Sequence, residues 1–187
     1  LAIGDDGAAG GVKAKCRRVF GRPVVGKPPV VKRKAEPVRQ APVQAFEAVK
    51  QQQAHVVLGF PGTTIRSKER YVLDVMTSVL SGQGGRLFQQ LRERQSLAYK
   101  VGAFSMEGLE PGYFAVYVAT SPENVNTALA AIEKQLQRLT DKTVPLSELN
   151  RVKRCLVGTH AISLQRKSSV AASLAFSERY RPGPTSH

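Results

Sequence analysis

The sequence lacks the residue patterns that hold a catalytic metal ion. Its three histidines are His55, His160 and His187, and none has a second ligand at the spacing that places two ligands on one helix face. A protein-held catalytic zinc needs about three ligands, yet neither H-E-x-x-H nor the inverted H-x-x-E-H occurs. His55 lies in an apolar segment, where a hydrogen-bonded structural histidine is expected. We therefore expect this chain to bind no metal.

Nucleophile patterns are lacking as well. There is no G-x-S-x-G, no cysteine–histidine pair stands out, and most serines precede predicted helices, where helix capping explains them. A glycine-rich turn at residues 82–85 is similar to a phosphate-binding turn. It lacks the lysine of a Walker motif and follows a helix rather than a strand, which favours a simple helix–helix turn.

Cysteines and long apolar runs are scarce. Cys16 and Cys155 are far apart and belong to no C-x-x-C pair, which excludes a disulfide scaffold or zinc finger, and each is expected to fill space on a helix. No apolar run approaches the ~18–20 residues that span a bilayer. Residues 1–6 begin without methionine and lack the features of a signal peptide, so we expect the chain to begin inside a longer protein.

Basic residues, in contrast, outnumber acidic ones by two to one, with 28 lysines and arginines against 14 acidic residues and a net charge of +14. Such a charge is compatible with nucleic-acid binding. The excess is spread evenly, with +7 in residues 1–50 and +7 in the remainder, and no basic stripe interleaved with aromatic residues is present. Nucleic-acid binding is therefore the weaker interpretation, and a basic linker in an ordinary domain is the stronger one.

The first 44 residues are predicted to contain little regular structure. Residues 1–3 look like the end of a buried strand, and residues 12–20 form a short basic helix with one apolar face that ends at Gly21. Five prolines interrupt residues 22–44. Because each proline removes a backbone donor and fixes φ, this segment is predicted to be a semi-extended linker.

Beyond the linker, hydrophobic periodicity predicts strands and helices in a mixed order. By alternation, Tyr99, Val101 and Ala103 share one face of a strand. Ser67 and Ser121 are candidate N-caps. The order strand, helix, helix, strand, strand, helix, helix, helix indicates an α+β domain in which helices pack on one face of an antiparallel sheet. The predicted elements are strand 54–60, a helix after Ser67, helix 86–95, strands 97–105 and 112–120, a helix after Ser121, and helices 145–164 and 168–180.

The segment GGRLFQQLRERQSLAY at residues 84–99 resembles a family signature. The C-terminal half of pitrilysin, insulinase and mitochondrial processing peptidase proteins carries approximately S-R-L-F-x-x-L-R-E-x-x-G-L-A-Y. The resemblance extends upstream to residues 53–60 and downstream to residues 112–117 and 120–123. It covers about 130 residues, from near Gln44 to Tyr180, which makes it far more specific than a short motif.

This resemblance implies a metallopeptidase-half, processing-peptidase-like domain. In such proteins one half carries H-x-x-E-H and binds zinc, and the other half contributes an arginine and a tyrosine, which correspond here to Arg92 and Tyr99. The implied partners are a zinc-bearing homologous domain or subunit and a peptide substrate, with zinc held only by that partner. Ser96 stands where the family has glycine; if the turn is kept, a serine there is strained. From the residues alone, Arg92 is an ordinary solvent-facing helix residue and Tyr99 a packing aromatic.

The resemblance also suggests how the chain is divided. Residues 1–21 would be the tail of a preceding homologous domain, 22–44 a linker, 45–181 a truncated C-terminal peptidase-family domain, and 182–187 a disordered tail. The strand at 112–120 is expected at or near the edge of the sheet, where a peptide could add by backbone pairing. Two functions follow: substrate binding for a zinc-bearing half, or a purely structural assembly role. The sequence leaves the compartment and the substrate undetermined.

Overall fold

The computed structural model describes residues 6–21, 26 and 41–180. These residues belong to two compact units, one made of Leu1–Gln40 with Gly158–His187 and the other of Ala41–Val157. The expected strand at 1–3, most of the linker at 22–44 and the tail at 182–187 lie outside the described residues.

The first unit contains helices α1, Asp6–Phe20, and α5, Lys167–Tyr180. Helix α1 ends at Gly21, whose φ of +66° is the left-handed conformation that glycine adopts without cost. The predicted end of this helix is therefore confirmed. Cys16 on α1 is free and exposed, and so is Cys155 in the other unit. Both cysteines lie on helices as expected, but within the described residues their side chains are exposed rather than packed, so the expectation that they fill space is wrong.

The second unit contains a three-stranded antiparallel sheet. The strands are β1, Ala54–Pro61, β2, Lys100–Met106, and β3, Tyr113–Thr120. Strands β2 and β3 form the expected hairpin, and β1 pairs with the other side of β3, giving the order β1-β3-β2. Strand β3, expected at or near the edge, is the central strand with ladder partners on both sides, so it lies beside both edges rather than at one. The edges formed by the described residues are β1 and β2.

The helices and these strands follow one another along the chain in the predicted order. Helix α2 is Glu69–Leu80, a π-helix occupies Phe88–Arg94, a short 3₁₀ turn at Pro122–Asn124 leads into α3, Val125–Asp141, and α4 is Leu146–Leu164. Ser67 accepts a hydrogen bond from the Glu69 N–H at 3.1 Å, as a capping residue does. The turn at 82–85 joins two helical segments, as the helix–helix interpretation predicts.

One face of the sheet is covered by helices and the other is open. The covered face and the helices share a buried apolar core with members from β2, β3, α2, α3 and the π-helix. This arrangement confirms the α+β class with helices on one face of an antiparallel sheet. The buried core residues are Leu80, Leu87, Leu91, Ala98, Ala103, Phe114, Val116, Val118, Ala128 and Ile132.

Candidate functional site

The π-helix presents Arg92 to solvent. Its neighbour Leu91 is fully buried in the core and fixes the orientation of the segment. The Arg92 guanidinium carbon lies 5.1 Å from the centroid of the Phe88 ring, within the range of a cation–π contact. π-helices are rare and frequently occur at functional sites. The sequence predicted a helix over 86–95 but not this wider form, which differs from an α-helix by only one residue per hydrogen-bonded turn.

A tight turn then reverses the chain. Ser96 has a φ of +52°, the only positive φ among the described non-glycine residues. The Leu91 carbonyl accepts hydrogen bonds from the N–H groups of both Leu97, at 2.7 Å, and Ala98, at 3.2 Å. These bonds hold the turn closed and keep Ser96 left-handed, a conformation that costs an L-residue about 1–2 kcal/mol. The predicted strain at Ser96 is therefore confirmed.

A bend immediately before β2 holds Tyr99. Lys100, the first residue of β2, is registered opposite Ala119, and the Tyr99 N–H donates to the Ala119 carbonyl at 2.9 Å. Tyr99 therefore lies outside the strand, which the sequence predicted to begin at residue 97. Tyr99 is 57% exposed whereas Ala103 is buried. The alternation of side chains begins at Lys100, so it does not extend to Tyr99 as the sequence predicted.

Arg92 lies on the π-helix, Tyr99 is the last residue of the five-residue connection 95–99 that leads to β2, and both are exposed. The structure records no hydrogen bond between them among the described residues. Their side chains are available for a third group, and the same geometry is compatible with independent surface residues.

The open face of the sheet was not singled out as a site from the sequence. His55 on β1 and the Tyr117 hydroxyl on β3 lie 2.8 Å apart, and the two rings stack with centroids 6.0 Å apart. The ammonium nitrogen of Lys100 on β2 lies 5.8 Å from the Tyr117 ring. This row, which we call the His55–Tyr117–Lys100 row, crosses all three strands next to Tyr99. The alternation of side chains along β3 is the sequence feature from which this row could have been predicted. His55 is hydrogen-bonded as expected, although it is exposed.

The edges of the sheet differ. The Ser81 hydroxyl donates to the Ala103 carbonyl at 2.8 Å and accepts from the Ala103 N–H, which caps the outer edge of β2 at that residue. No strand formed by the described residues pairs with the outer side of β1. Of the two edges, β1 is therefore the one that an extended peptide could join.

Comparison with known proteins gives the family. Residues 11–156 match the profile of the peptidase M16 inactive domain. The chain belongs to this family. An uncharacterised zinc protease of Streptomyces coelicolor is 29% identical over 130 residues, which are 69% of this chain and 28% of that protein. The mitochondrial-processing peptidase subunit alpha of Caenorhabditis elegans is 28% identical over 112 residues, 54% of this chain and 22% of that subunit. The resemblance drawn from residues 84–99 is confirmed.

Solved structures agree on the fold of the M16 inactive domain. The peptidase M16 inactive domain from Pseudomonas fluorescens superposes with a TM-score of 0.64 at 20% identity, covering 72% of this chain and 32% of that one. This chain spans about a quarter to a third of the length of these three proteins. The described part of this M16 domain contains no group of three His, Cys, Asp or Glu side chains that could hold a metal ion. Within the same residues, no helix combines the length and apolarity needed to cross a membrane.

Proposed function

We propose that this M16 inactive domain is the substrate-gripping, non-catalytic half of a zinc metallopeptidase. The observation that carries the proposal is the exposed position of Tyr99, the tyrosine of the family signature, whose N–H is bonded to Ala119 just after the strained turn at Ser96. Strained backbone costs free energy, and it clusters where a side chain must be held for function. A tyrosine that only packed would not need such a turn beside it.

The chemistry of the two side chains suits peptide hydrolysis. A peptide carbonyl under attack develops negative charge on its oxygen, and preorganised donors stabilise that charge. The Tyr99 hydroxyl is one such donor, and the Arg92 guanidinium offers up to five N–H groups and a permanent positive charge. In this proposal the zinc and its attacking water belong to the H-x-x-E-H half, and Arg92 and Tyr99 hold the substrate carbonyl or the adjacent backbone.

The open face of the sheet extends the same surface. Tyr117 is oriented by its hydrogen bond with His55, and the exposed side chains of Val57, Phe104 and Tyr113 surround this row with apolar area. An extended peptide could pair its backbone with the outer side of β1 and pack its side chains on this face. The surface therefore fits an unfolded, mixed apolar segment better than a compact domain.

The partner in this proposal is a homologous zinc-bearing half, in the same longer chain or in a separate subunit. Support comes from length, because this chain covers only 28% of a relative named as a zinc protease. Residues 45–181 would then form the C-terminal domain of the pair, residues 1–21 the end of a preceding one, and 22–44 the connection.

A second candidate, a purely structural assembly role, has one observation in its favour. The Arg92 guanidinium already has a partner in the Phe88 ring. A contact of this kind at an exposed site contributes about 0.5–1 kcal/mol, so Arg92 could serve only to hold the π-helix.

Peptide hydrolysis distinguishes the two candidates. This chain is mixed with the zinc-bearing half encoded with it, and cleavage of an unstructured fluorogenic peptide is measured. We expect cleavage only in the mixture, and we expect Tyr99→Phe and Arg92→Ala each to lower kcat/KM by about 100-fold, the effect of losing one oxyanion donor.

The matched control is Tyr71→Phe, since Tyr71 is 52% exposed and lies on a different element, α2. It should leave kcat/KM unchanged. Unchanged cleavage by the Tyr99 and Arg92 variants would favour the assembly role. Cleavage by this chain without the partner would contradict the non-catalytic assignment.

A further inference from the structure

A polar cavity of about 600 Å³ lies among the π-helix, α3 and α4, on the helical side of the second unit. Its lining includes four arginines and a single carboxylate, Glu148, so its net charge is positive. The arginines are Arg86, Arg94, Arg138 and Arg151. This volume falls within the ~300–1,000 Å³ typical of small-molecule sites. Neither the peptidase role nor the open sheet face uses this cavity.

The innermost arginine is held in a fixed orientation. Arg86 is only 7% exposed, and its Nε and Nη2 atoms donate to the two carboxylate oxygens of Glu148 at 2.9 and 2.6 Å. The hydrogen bond from Arg86 lowers the pKa of Glu148, and the charges of Arg86, Arg151 and Arg138 lower it further. One carboxylate thus faces several guanidinium groups and cannot neutralise all of them.

Two buried polar atoms at this cavity have no hydrogen-bond partner among the described residues. The Nη1 atom of Arg86 is a donor without an acceptor, and the Oε1 atom of Gln135 is an acceptor without a donor. Both side chains line the cavity, and Gln135 is 6% exposed. A buried polar group without a partner destabilises the fold, so a ligand that offers both an acceptor and a donor would remove two penalties at once.

We propose that this cavity binds a small phosphate-bearing anion. Phosphate oxygens accept from guanidinium groups, often in pairs, which suits Arg86 Nη1 and the exposed Arg94 and Arg138. A monoprotonated phosphate also carries a P–OH group that can donate to Gln135 Oε1. Sulfate carries no proton at neutral pH and can satisfy only the arginines. The cavity is therefore a phosphate site rather than a general anion site.

The exposed arginines allow a test that spares the fold. The side chains of Arg94 and Arg138 make no hydrogen bond recorded among the described residues, so their replacement should leave the buried Arg86–Glu148 pair intact. Binding of inorganic phosphate and of pyrophosphate to the full chain is measured by isothermal titration calorimetry, with sulfate as the competing anion. We expect saturable binding with one site, at least tenfold tighter for phosphate than for sulfate.

The double variant Arg94→Ala/Arg138→Ala should weaken phosphate binding by at least tenfold at an unchanged melting temperature without ligand. The double variant Arg66→Ala/Lys68→Ala, which removes the same two positive charges from exposed positions outside the cavity, should bind as the parent does. Three outcomes would overturn the proposal: no saturable binding, sulfate binding as tightly as phosphate, or equal binding by the double variant. A single-stranded oligonucleotide that binds through Arg94 and Arg138 while free phosphate does not would replace it with nucleic-acid binding. None of these outcomes depends on peptide cleavage.

Discussion

The two ends of the helical segment from Arg86 to Arg94 have opposite properties. At the first end, Arg86 is buried, doubly hydrogen-bonded to Glu148 and preceded by a glycine in close contact with the preceding turn. At the second end, Arg92 is exposed and is followed by the left-handed Ser96 and the exposed Tyr99. Two arginines six residues apart therefore have different environments, and burial rather than residue type separates them.

The largest expected effect comes from Gly85, immediately before Arg86. A Cβ atom there would overlap the Ser81 carbonyl and lie 2.6 Å from the Leu80 carbonyl oxygen, and backbone atoms cannot move aside as a flexible side chain can. We expect Gly85→Ala to lower the free energy of unfolding by about 3 kcal/mol or more, at the upper limit of overpacking costs. Urea denaturation of the purified chain measures it.

Two glycines serve as controls for this prediction. At Gly84 the added Cβ would meet only the end of the Arg151 side chain, and at Gly59 it would meet nothing within 4 Å. Both alanine variants should lose less than about 1 kcal/mol. If Gly85→Ala lost as little stability as these two variants, the close backbone packing around Gly85 would be contradicted.

The buried ion pair gives the next effect. Glu148→Ala leaves the guanidinium of Arg86 buried without its carboxylate, and breaking such pairs costs about 3–5 kcal/mol when both groups are fully desolvated. Because the side chain of Glu148 keeps 19% exposure, we expect a loss of about 2–3 kcal/mol. Glu133→Ala, an exposed glutamate on α3, is the matched control and should change stability by less than about 0.5 kcal/mol.

The pH dependence checks the same pair independently. The folded pKa of Glu148 lies below its ordinary value of 4.5. The contribution of ionised Glu148 to stability is therefore fully present above pH 4.5, and it is lost as the pH falls through the folded pKa. Between neutral pH and acid pH, the parent should lose more stability than Glu148→Ala does. Equal losses would show that the pair contributes no linked stability.

Much of this architecture could be predicted because it depends on local sequence. The apolar periods placed β1, α4 and α5 within one residue of their observed bounds, since side-chain burial repeats with the period of the element. The Arg86–Glu148 pair could not be found in this way, because 62 residues separate its members and only the tertiary fold joins them. Whether β3 lies at the edge of the sheet or beside it was left open for the same reason, since strand order is set by long-range pairing.

The residues of the candidate site were predicted from the family resemblance rather than from hydrophobic periodicity. Arg92 and Tyr99 came from the family signature, whereas alternation alone assigned Tyr99 to the packed face. Tyr99 lies before the first residue of β2, and hydrophobic periodicity does not fix where a strand begins. The strain at Ser96, in contrast, followed from the sequence, because a serine in a glycine position has few alternatives when the turn is kept.

Ser96 provides the smallest effect and tests the second end directly. With a φ of +52°, a serine bears a left-handed cost of about 1–2 kcal/mol, whereas a glycine there has almost none. Glycine also loses more conformational entropy on folding, by about 0.5–1 kcal/mol. We therefore expect Ser96→Gly to raise the free energy of unfolding by about 0.5 kcal/mol, seen as a higher urea midpoint at an unchanged slope.

Two variants serve as controls. Ser96→Ala should give no such gain because alanine keeps the strain, and Ser78→Gly, inside α2, should lower the free energy of unfolding by about 1 kcal/mol. A Ser96→Gly variant less stable than the parent would mean that the serine hydroxyl, rather than the backbone, governs the turn that precedes Tyr99.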